Sequence, residues 1–228
     1  KKSPNNRLGL LFDDDTKWTT ASVGKSFTSY VLGQAICDGY IENVDVKLND
    51  WPLIKNTLYE NVKLIDLLNM AAGDQKYSND ENDLVNIRPN NPNVNTLKYH
   101  MDGHFKGSKP SKNKYNYSNI VANIIINYVW FKSDGDFQII TDKVFKEKAR
   151  IQNSIYFLKI SRKTTQGRME SNKYDFVKKK EIRGKKYGKK YKYSVIEEDG
   201  LLRYSMELNR YDFLRVAKAI MDDYQNDT

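Results

Sequence analysis

Ser22 and Lys25 stand three residues apart in "WTTASVGKSFTSYVLGQAICDGYI", Trp18 to Ile41, where a long apolar run begins. If Ser22 opens a helix, this spacing puts both side chains on one face, and the lysine ammonium can reach the serine hydroxyl across one turn. Serine is a weak nucleophile until a base takes its proton. Lysine can be that base if burial and neighbouring positive charge depress its pKa, because desolvation disfavours the charged form. The amino-terminal end of a helix adds partial positive charge and free N–H groups that favour a developing oxyanion. The same tetrapeptide also fits a serine N-cap beside a solvated lysine, so the chemistry needs partners elsewhere in the chain.

The elements that must position this pair follow from periodicity. Phe27, Tyr30, Val31, Ala35 and Ile36 recur at mixed three and four spacing, which predicts a buried helix starting near Ser22. "KLIDLLNMAAG" puts Leu64, Leu67, Leu68 and Ala71 on one face, with Gly73 expected as the residue that ends the helix in a left-handed turn. From Asp74 to Lys114 the chain is polar, with a short helix expected around Val94 to Met101. "YSNIVANIIINYVWF" predicts a strongly apolar helix, and "FQIITDKVFKEKARI" another with Ile139, Ile140, Val144 and Phe145 inward. "NRYDFLRVAKAIMDDY" predicts an amphipathic helix on Phe213, Leu214, Val216, Ala217 and Ile220. "RLGLLFDD" and "SIYFLKIS" read as strands. The expected fold class is α+β, in one domain covering residues 1–228, with residues 162–192 as a basic polar excursion from it.

The partner for the Ser-Lys pair is "KYNYSNIVANIII", where Tyr117, Ser118 and Asn119 form a Y-x-N element just before an apolar helix. A phenol beside a lysine ammonium has its pKa lowered and can exchange protons near neutral pH. Tyr115 is a competing phenol two residues earlier, and Tyr117 is preferred for its spacing to Asn119. Trp18, Trp51 and Tyr77 could line a cleft, but aromatic residues at such positions are first of all core material.

"ASVGKSFTSYVLGQAICDGYI", "VKLIDLLNMAAG", "KYNYSN" and "DGLLRYSMELNRYDFLRVAKAI" occur in the order found in class C β-lactamases and penicillin-binding-protein-like serine esterases. The chain resembles this β-lactamase-related serine hydrolase family over nearly its whole length. The resemblance implies a helical subdomain against an antiparallel sheet, and an acyl-enzyme mechanism on an ester or amide. Within it, Ser22 matches the acylated nucleophile, Lys25 the general base and Tyr117 the tyrosine that passes the proton to the leaving group. Asn119 matches the residue that orients substrate and lysine. The resemblance implies no metal and no cofactor, and it is compatible with a periplasmic or secreted protein.

One motif of the pattern is missing. K-T-G or H-x-G, which in the family lines the cleft and supplies the second oxyanion N–H, is not found. "KTT" at Lys163 to Thr165 lacks the glycine and precedes the "GLLRYS" block, whereas the family motif follows it. His100 and His104 begin no H-x-G and are read as loop histidines. The chain stops at Thr228, where the resemblance implies further helices and the closing strands. It is therefore read as part of a longer protein, with an incomplete sheet and with activity depending on the missing C-terminal part. Because the lactam-associated K-T-G is absent, a carboxylesterase-like activity is favoured over a true β-lactamase.

Composition bounds the other classes. At 228 residues and 39% hydrophobic content the chain can bury a sizeable core. A single cysteine excludes an internal disulfide framework and any multi-cysteine metal site. No apolar run is long enough to span a membrane, and that in "KKSPNNRLGLLFDDD" is too short for a signal peptide. The formal charge of +9 is local, because Lys178 to Lys192 holds nine Lys and Arg against one Glu. Lysines interleaved with tyrosines there could follow a phosphate backbone, but no nucleic-acid module surrounds them and a lysine run is ordinarily solvated. Two other classes thus stand beside the hydrolase: a non-catalytic penicillin-recognising scaffold, and a polyanion binder using the 178–192 tract.

Overall fold

A helix apolar on every face has to lie inside a protein, and the run from Ile120 to Val129 is buried at every position. The computed structural model describes residues 18–78, 96–152, 156–159, 174–175, 180–181, 184–186, 189–191 and 202–226. In chain order the elements are β1 (Trp18–Thr19), a 3-10 turn (Ala21–Val23), α1 (Gly24–Cys37), α2 (Leu64–Leu68), α3 (Gln75–Ser78), α4 (Thr96–Asp102) and α5 (Asn119–Lys132). They continue with α6 (Phe137–Asp142), which runs into a π-helical stretch (Lys143–Lys148), then β2 (Tyr156–Lys159), β3 (Tyr174–Asp175), β4 (Lys180–Glu181), β5 (Gly184–Lys186), β6 (Lys189–Tyr191), β7 (Leu202–Leu208) and α7 (Arg210–Asn226).

The fold is α+β. A three-stranded antiparallel sheet has the order β1-β7-β2, with Trp18 opposite Leu208 and Tyr156 opposite Glu207. Helices α1 and α5 lie against each other and against β7, and their buried Phe27, Val31, Leu32, Ile124 and Ile126 join Leu202, Met206 and Leu208 in one core. Trp51 belongs to the same core, with its ring 5.8 Å from that of Tyr128 and 6.0 Å from that of Phe131. Two small hairpins, β3–β4 and β5–β6, cover part of the basic tract. The β5–β6 register sets Lys185 opposite Lys190 and Lys186 opposite Lys189.

Strand β7 is central for only part of its length. Beyond the short β1 its edge is completed by side chains. Met206 N–H donates to Thr20 Oγ1 at 2.9 Å, Tyr204 N–H to Asn123 Oδ1 at 3.0 Å, and Leu202 N–H to Asn127 Oδ1 at 3.0 Å. Asn127 Nδ2 returns a bond to the Leu202 carbonyl at 2.8 Å. Asn123 and Asn127 are one helical turn apart on α5 and both buried, so two side-chain amides satisfy this edge of β7 and fix it against the central helix.

Several sequence expectations shift in detail. Ser22 is no N-cap: it lies within the 3-10 turn, and the residue capping α1 is Val23 with no side-chain cap bond. Helix α1 ends where Gly39 takes φ +80°, with Gly39 N–H bonded to the Ile36 carbonyl and Tyr40 N–H to that of Ala35, which satisfies the last orphan carbonyls. The left-handed residue that directly follows the Asn69 cap of α2 is Met70 at φ +51°, and the expected Gly73 takes φ +75° three positions later. Ile139 is exposed because the inward face of α6 is set by Phe137, Ile140 and Thr141, one helical turn apart. In α7 the buried positions are Asp212, Val216 and Ala219, and Leu214 and Ala217 face outward. His100 sits buried on α4, not in a loop, while His104 Nε2 lies 2.8 Å from the Tyr77 carbonyl. The strand read in "RLGLLFDD" and the "KTT" string lie outside the described residues.

Among the described residues, no helix is long and apolar enough to cross a membrane, and no group of three or more His, Cys, Asp or Glu could hold a metal ion.

Candidate active site

Ser22 rides on the 3-10 turn that leads into α1, so Lys25 follows one turn later on the same side. Ala21, immediately before the serine, takes φ +45°, a left-handed conformation that costs a non-glycine residue about 1–3 kcal/mol and persists only where the surroundings enforce it. The enforcement is visible. Thr20 N–H donates to the Met206 carbonyl at 2.8 Å while Thr20 Oγ1 accepts from Met206 N–H, so the residues before Ser22 are pinned to β7. Gly24 then passes so close to β7 that a Cβ there would stand 2.5 Å from the Tyr204 carbonyl oxygen and 2.6 Å from Thr20 Oγ1. Only glycine fits between Ser22 and Lys25 at that position.

Tyr117 arrives from the other side of the sequence. Its backbone is held between two fixed points. Upstream, Asn116 N–H donates to the Met70 carbonyl at 2.7 Å and Asn116 Nδ2 to Asp74 Oδ1 at 3.1 Å. Asp74 is buried, and its other oxygen accepts from the Tyr59 hydroxyl at 3.0 Å. Downstream, Ser118 is the N-cap of α5, with extended backbone and its Oγ accepting from Ile120 N–H at 3.3 Å. The middle residue of Y-x-N therefore starts the central helix, and the tyrosine projects from just before it.

The three side chains meet. Tyr117 Oη lies 2.8 Å from Ser22 Oγ and accepts from Lys25 Nζ at 2.7 Å, while Lys25 Nζ is 3.5 Å from Ser22 Oγ. The tyrosine is thus the closer neighbour of the serine. Burial works against ionising Tyr117, but hydrogen bonds with Lys25 and Ser22 and the lysine charge outweigh it and hold the phenol below its ordinary value. Tyr115 is 71% exposed against 40% for Tyr117, and of the two it is Tyr117 that meets the Ser-Lys pair. Asn119, the first residue of α5, accepts at Oδ1 from the Tyr204 hydroxyl at 2.8 Å.

Tyr204 itself was not singled out from sequence. Its ring centroid lies 4.1 Å from Lys25 Nζ, and that of Tyr117 lies 4.6 Å away. The signal was present in two places: the glycine inside "SVGK", which demands a close neighbour, and the pair of asparagines inside "IVANIIINY", which demand backbone partners. The other aromatics raised from sequence go elsewhere. Trp51 is core, Tyr77 stacks edge-on to His104, and Trp18 lines a shallow apolar depression with Tyr211, Phe213 and Leu214.

No family model matches the sequence, and no curated protein matches it. Solved structures do match the fold. A class C β-lactamase superimposes with a TM-score of 0.52 over 90% of this chain and 51% of its own, at 14% identity. A β-lactamase/D-alanine carboxypeptidase from Pseudomonas syringae gives 0.50 over 91% and 51%, also at 14% identity. The chain therefore has the β-lactamase/transpeptidase-like fold, and it spans about half the length of the solved structures it matches.

Proposed function

We propose that the chain carries a serine hydrolase site working through an acyl-enzyme on an ester or amide. The observation that supports this best is the triangle of Ser22, Lys25 and Tyr117, with Tyr117 Oη within 2.8 Å of both partners. Ser22 Oγ attacks the substrate carbonyl carbon as its proton leaves toward Tyr117. The resulting oxyanion forms beside the start of α1, where N–H groups lack intrahelical partners. Collapse of the tetrahedral species expels the alkoxide or amine, which takes a proton back from Tyr117, and water then cleaves the acyl-serine by the same route in reverse.

In this scheme Lys25 and Tyr117 act as one base sharing one proton. The lysine assigned as base from the Ser-x-x-Lys spacing keeps that role through the tyrosine, which is the member in closer contact with Ser22. Asn119 serves substrate binding and orientation. The expected substrate is a small-molecule ester or amide, with a carboxylesterase-like activity favoured.

The test is to assay a short-chain p-nitrophenyl ester and a β-lactam side by side with the purified protein and with Ser22→Ala. Turnover of the ester that is lost in Ser22→Ala supports the reading. Stoichiometric β-lactam acylation without turnover supports the penicillin-recognising scaffold instead, and turnover unchanged in Ser22→Ala overturns both.

A second reading concerns the hairpin of β5 and β6. Its register sets Lys185 opposite Lys190 and Lys186 opposite Lys189, which gathers four lysines of the 178–192 tract in one hairpin. That concentration of lysine positions favours the reading of a polyanion binder. Binding to an anionic polymer that weakens steeply with added salt, and that disappears when these four lysines become glutamine, supports it.

A further inference from the structure

We propose that Tyr204 is a positioning residue whose ring face holds the Lys25 ammonium against the Tyr117 hydroxyl. This rests on the reading of Lys25 and Tyr117 as a working pair and adds a third member to it from the far end of the chain.

Lys25 Nζ stands 4.1 Å from the centre of the Tyr204 ring and 4.6 Å from that of Tyr117. Both are inside the distance at which a cation is drawn to the negative face of an aromatic ring. The groups facing the lysine are Ser22 from the 3-10 turn, Tyr117 from the segment before α5, and Tyr204 from β7. Among the described residues Lys25 forms no ion pair with a carboxylate. What holds its ammonium in place is the pair of ring faces and the Tyr117 hydroxyl. Two ring faces attract the ammonium without introducing an anion. A carboxylate in their place would also favour the ammonium, but its negative charge would repel a tyrosinate at Tyr117.

The ring cannot drift. Tyr204 N–H is bonded to Asn123 Oδ1 at 3.0 Å, its hydroxyl to Asn119 Oδ1 at 2.8 Å, and its carbonyl lies against Gly24 with no room for a methyl group. Tyr204 is tied at three points to the two helices that carry Lys25 and Asn119, and 5% of its surface is exposed. Such restraint exceeds what filling space requires, and it bears on the position of the ring over Nζ.

The test reads Tyr117 directly and does not depend on turnover. Tyrosinate absorbance is titrated in proteins with and without Tyr117→Phe, and the difference isolates Tyr117. The titration is repeated with Tyr204→Phe and with pentafluorophenylalanine at position 204, which keeps the shape of the ring but removes the negative face. The expected result is a Tyr117 titration in Tyr204→Phe close to the unsubstituted one. With the fluorinated ring, the titration should move to higher pH by roughly 0.5–1, because the ammonium beside Tyr117 is less firmly held. An unchanged titration with the fluorinated ring overturns the proposal. So does an equal displacement in Tyr204→Phe, which would assign the effect to the hydroxyl. Covalent labelling of Ser22 in the unsubstituted protein is scored separately, so a failure of the hydrolase reading is distinguishable from a failure of this one.

Discussion

A methyl group on Gly24 would stand 2.5 Å from the carbonyl oxygen of Tyr204, and this contact joins the start of α1 to the middle of β7. The obstacle is backbone, which cannot swing aside as a side chain can. Gly24→Ala should therefore cost about 1–3 kcal/mol of stability by overpacking. It should also move Lys25 relative to the Tyr204 ring. Urea unfolding gives the first effect as a lower midpoint with an unchanged slope. The second appears as a fall in the rate of Ser22 acylation in the folded variant.

Asn127 supplies both hydrogen bonds of Leu202 on the α5 side, one to its N–H and one to its carbonyl. Asn127→Leu fills similar space but orphans two buried backbone groups, each worth roughly 1–3 kcal/mol when left unsatisfied. The expected outcome is a markedly less stable protein, with faster hydrogen exchange at the Leu202 amide than at amides of α1. Equal protection at Leu202 in both proteins would show that the amide does not complete the strand edge.

Asp74 binds Tyr59 through one oxygen and Asn116 through the other, directly upstream of Tyr117. Burial, and then the charge of and hydrogen bond to Asp74, push the Tyr59 phenol well above its ordinary range, so it stays a donor at any working pH. Asp74→Ala should lower stability by about 1.5–3 kcal/mol, the range for hydrogen bonds to a charged group. Because the loop carrying Tyr117 loses its anchor, Ser22 acylation should slow as well. Asp74→Asn keeps an acceptor for Tyr59, and should recover more of the stability than of the rate.

The meeting of Ser22, Lys25 and Tyr117 could be expected from the two motifs taken together. Ser-x-x-Lys brings its two groups together within one helical turn whether the turn is 3-10 or α, which is why Ser22 and Lys25 meet although the helix begins later than expected. Y-x-N was legible because an N-cap serine between Tyr117 and Asn119 places the tyrosine just outside the helix it starts. Tyr204 was not, since its place beside Lys25 comes from β7 docking on α1 and α5 across 179 residues of chain, and periodicity carries no information about such docking. Inward faces of short helices were misread by a residue or two for a related reason. In α6 the apolar run Ile139-Ile140 offers either residue as the anchor, and Phe137 decides for Ile140.

Acid should weaken the tie between α5 and the loop after Leu48. Burial opposes ionisation of Asp50, but hydrogen bonds from Lys132 and Tyr128 and the lysine charge outweigh it, so its folded pKa lies below the ordinary carboxylate value. A depressed folded pKa stabilises the fold above the unfolded pKa, and that contribution is lost as pH falls through the folded value. Asp50→Asn should therefore narrow the difference in urea midpoint between about pH 7 and about pH 3. At neutral pH its cost should stay below about 1 kcal/mol, because the pair is partly exposed and solvent screens it.

The phenol of Tyr117 is held below its ordinary value, so the tyrosinate that the proposed mechanism needs to receive the Ser22 proton is present at lower pH than for a free tyrosine. The rate of acylation should rise with pH and level off once Tyr117 is ionised, and Tyr117→Phe should remove that rise together with at least about a hundredfold of the rate, in line with the loss of a general base.

Covalent capture of the nucleophile tests the central claim most directly. The purified protein is treated with a fluorophosphonate probe and read by intact mass and peptide mapping. A single adduct on Ser22, abolished by Ser22→Ala and greatly slowed by Lys25→Ala, is the predicted result. A folded protein in which Ser22 is never labelled, or in which Ser22→Ala is labelled as fast as the unsubstituted chain, would contradict it.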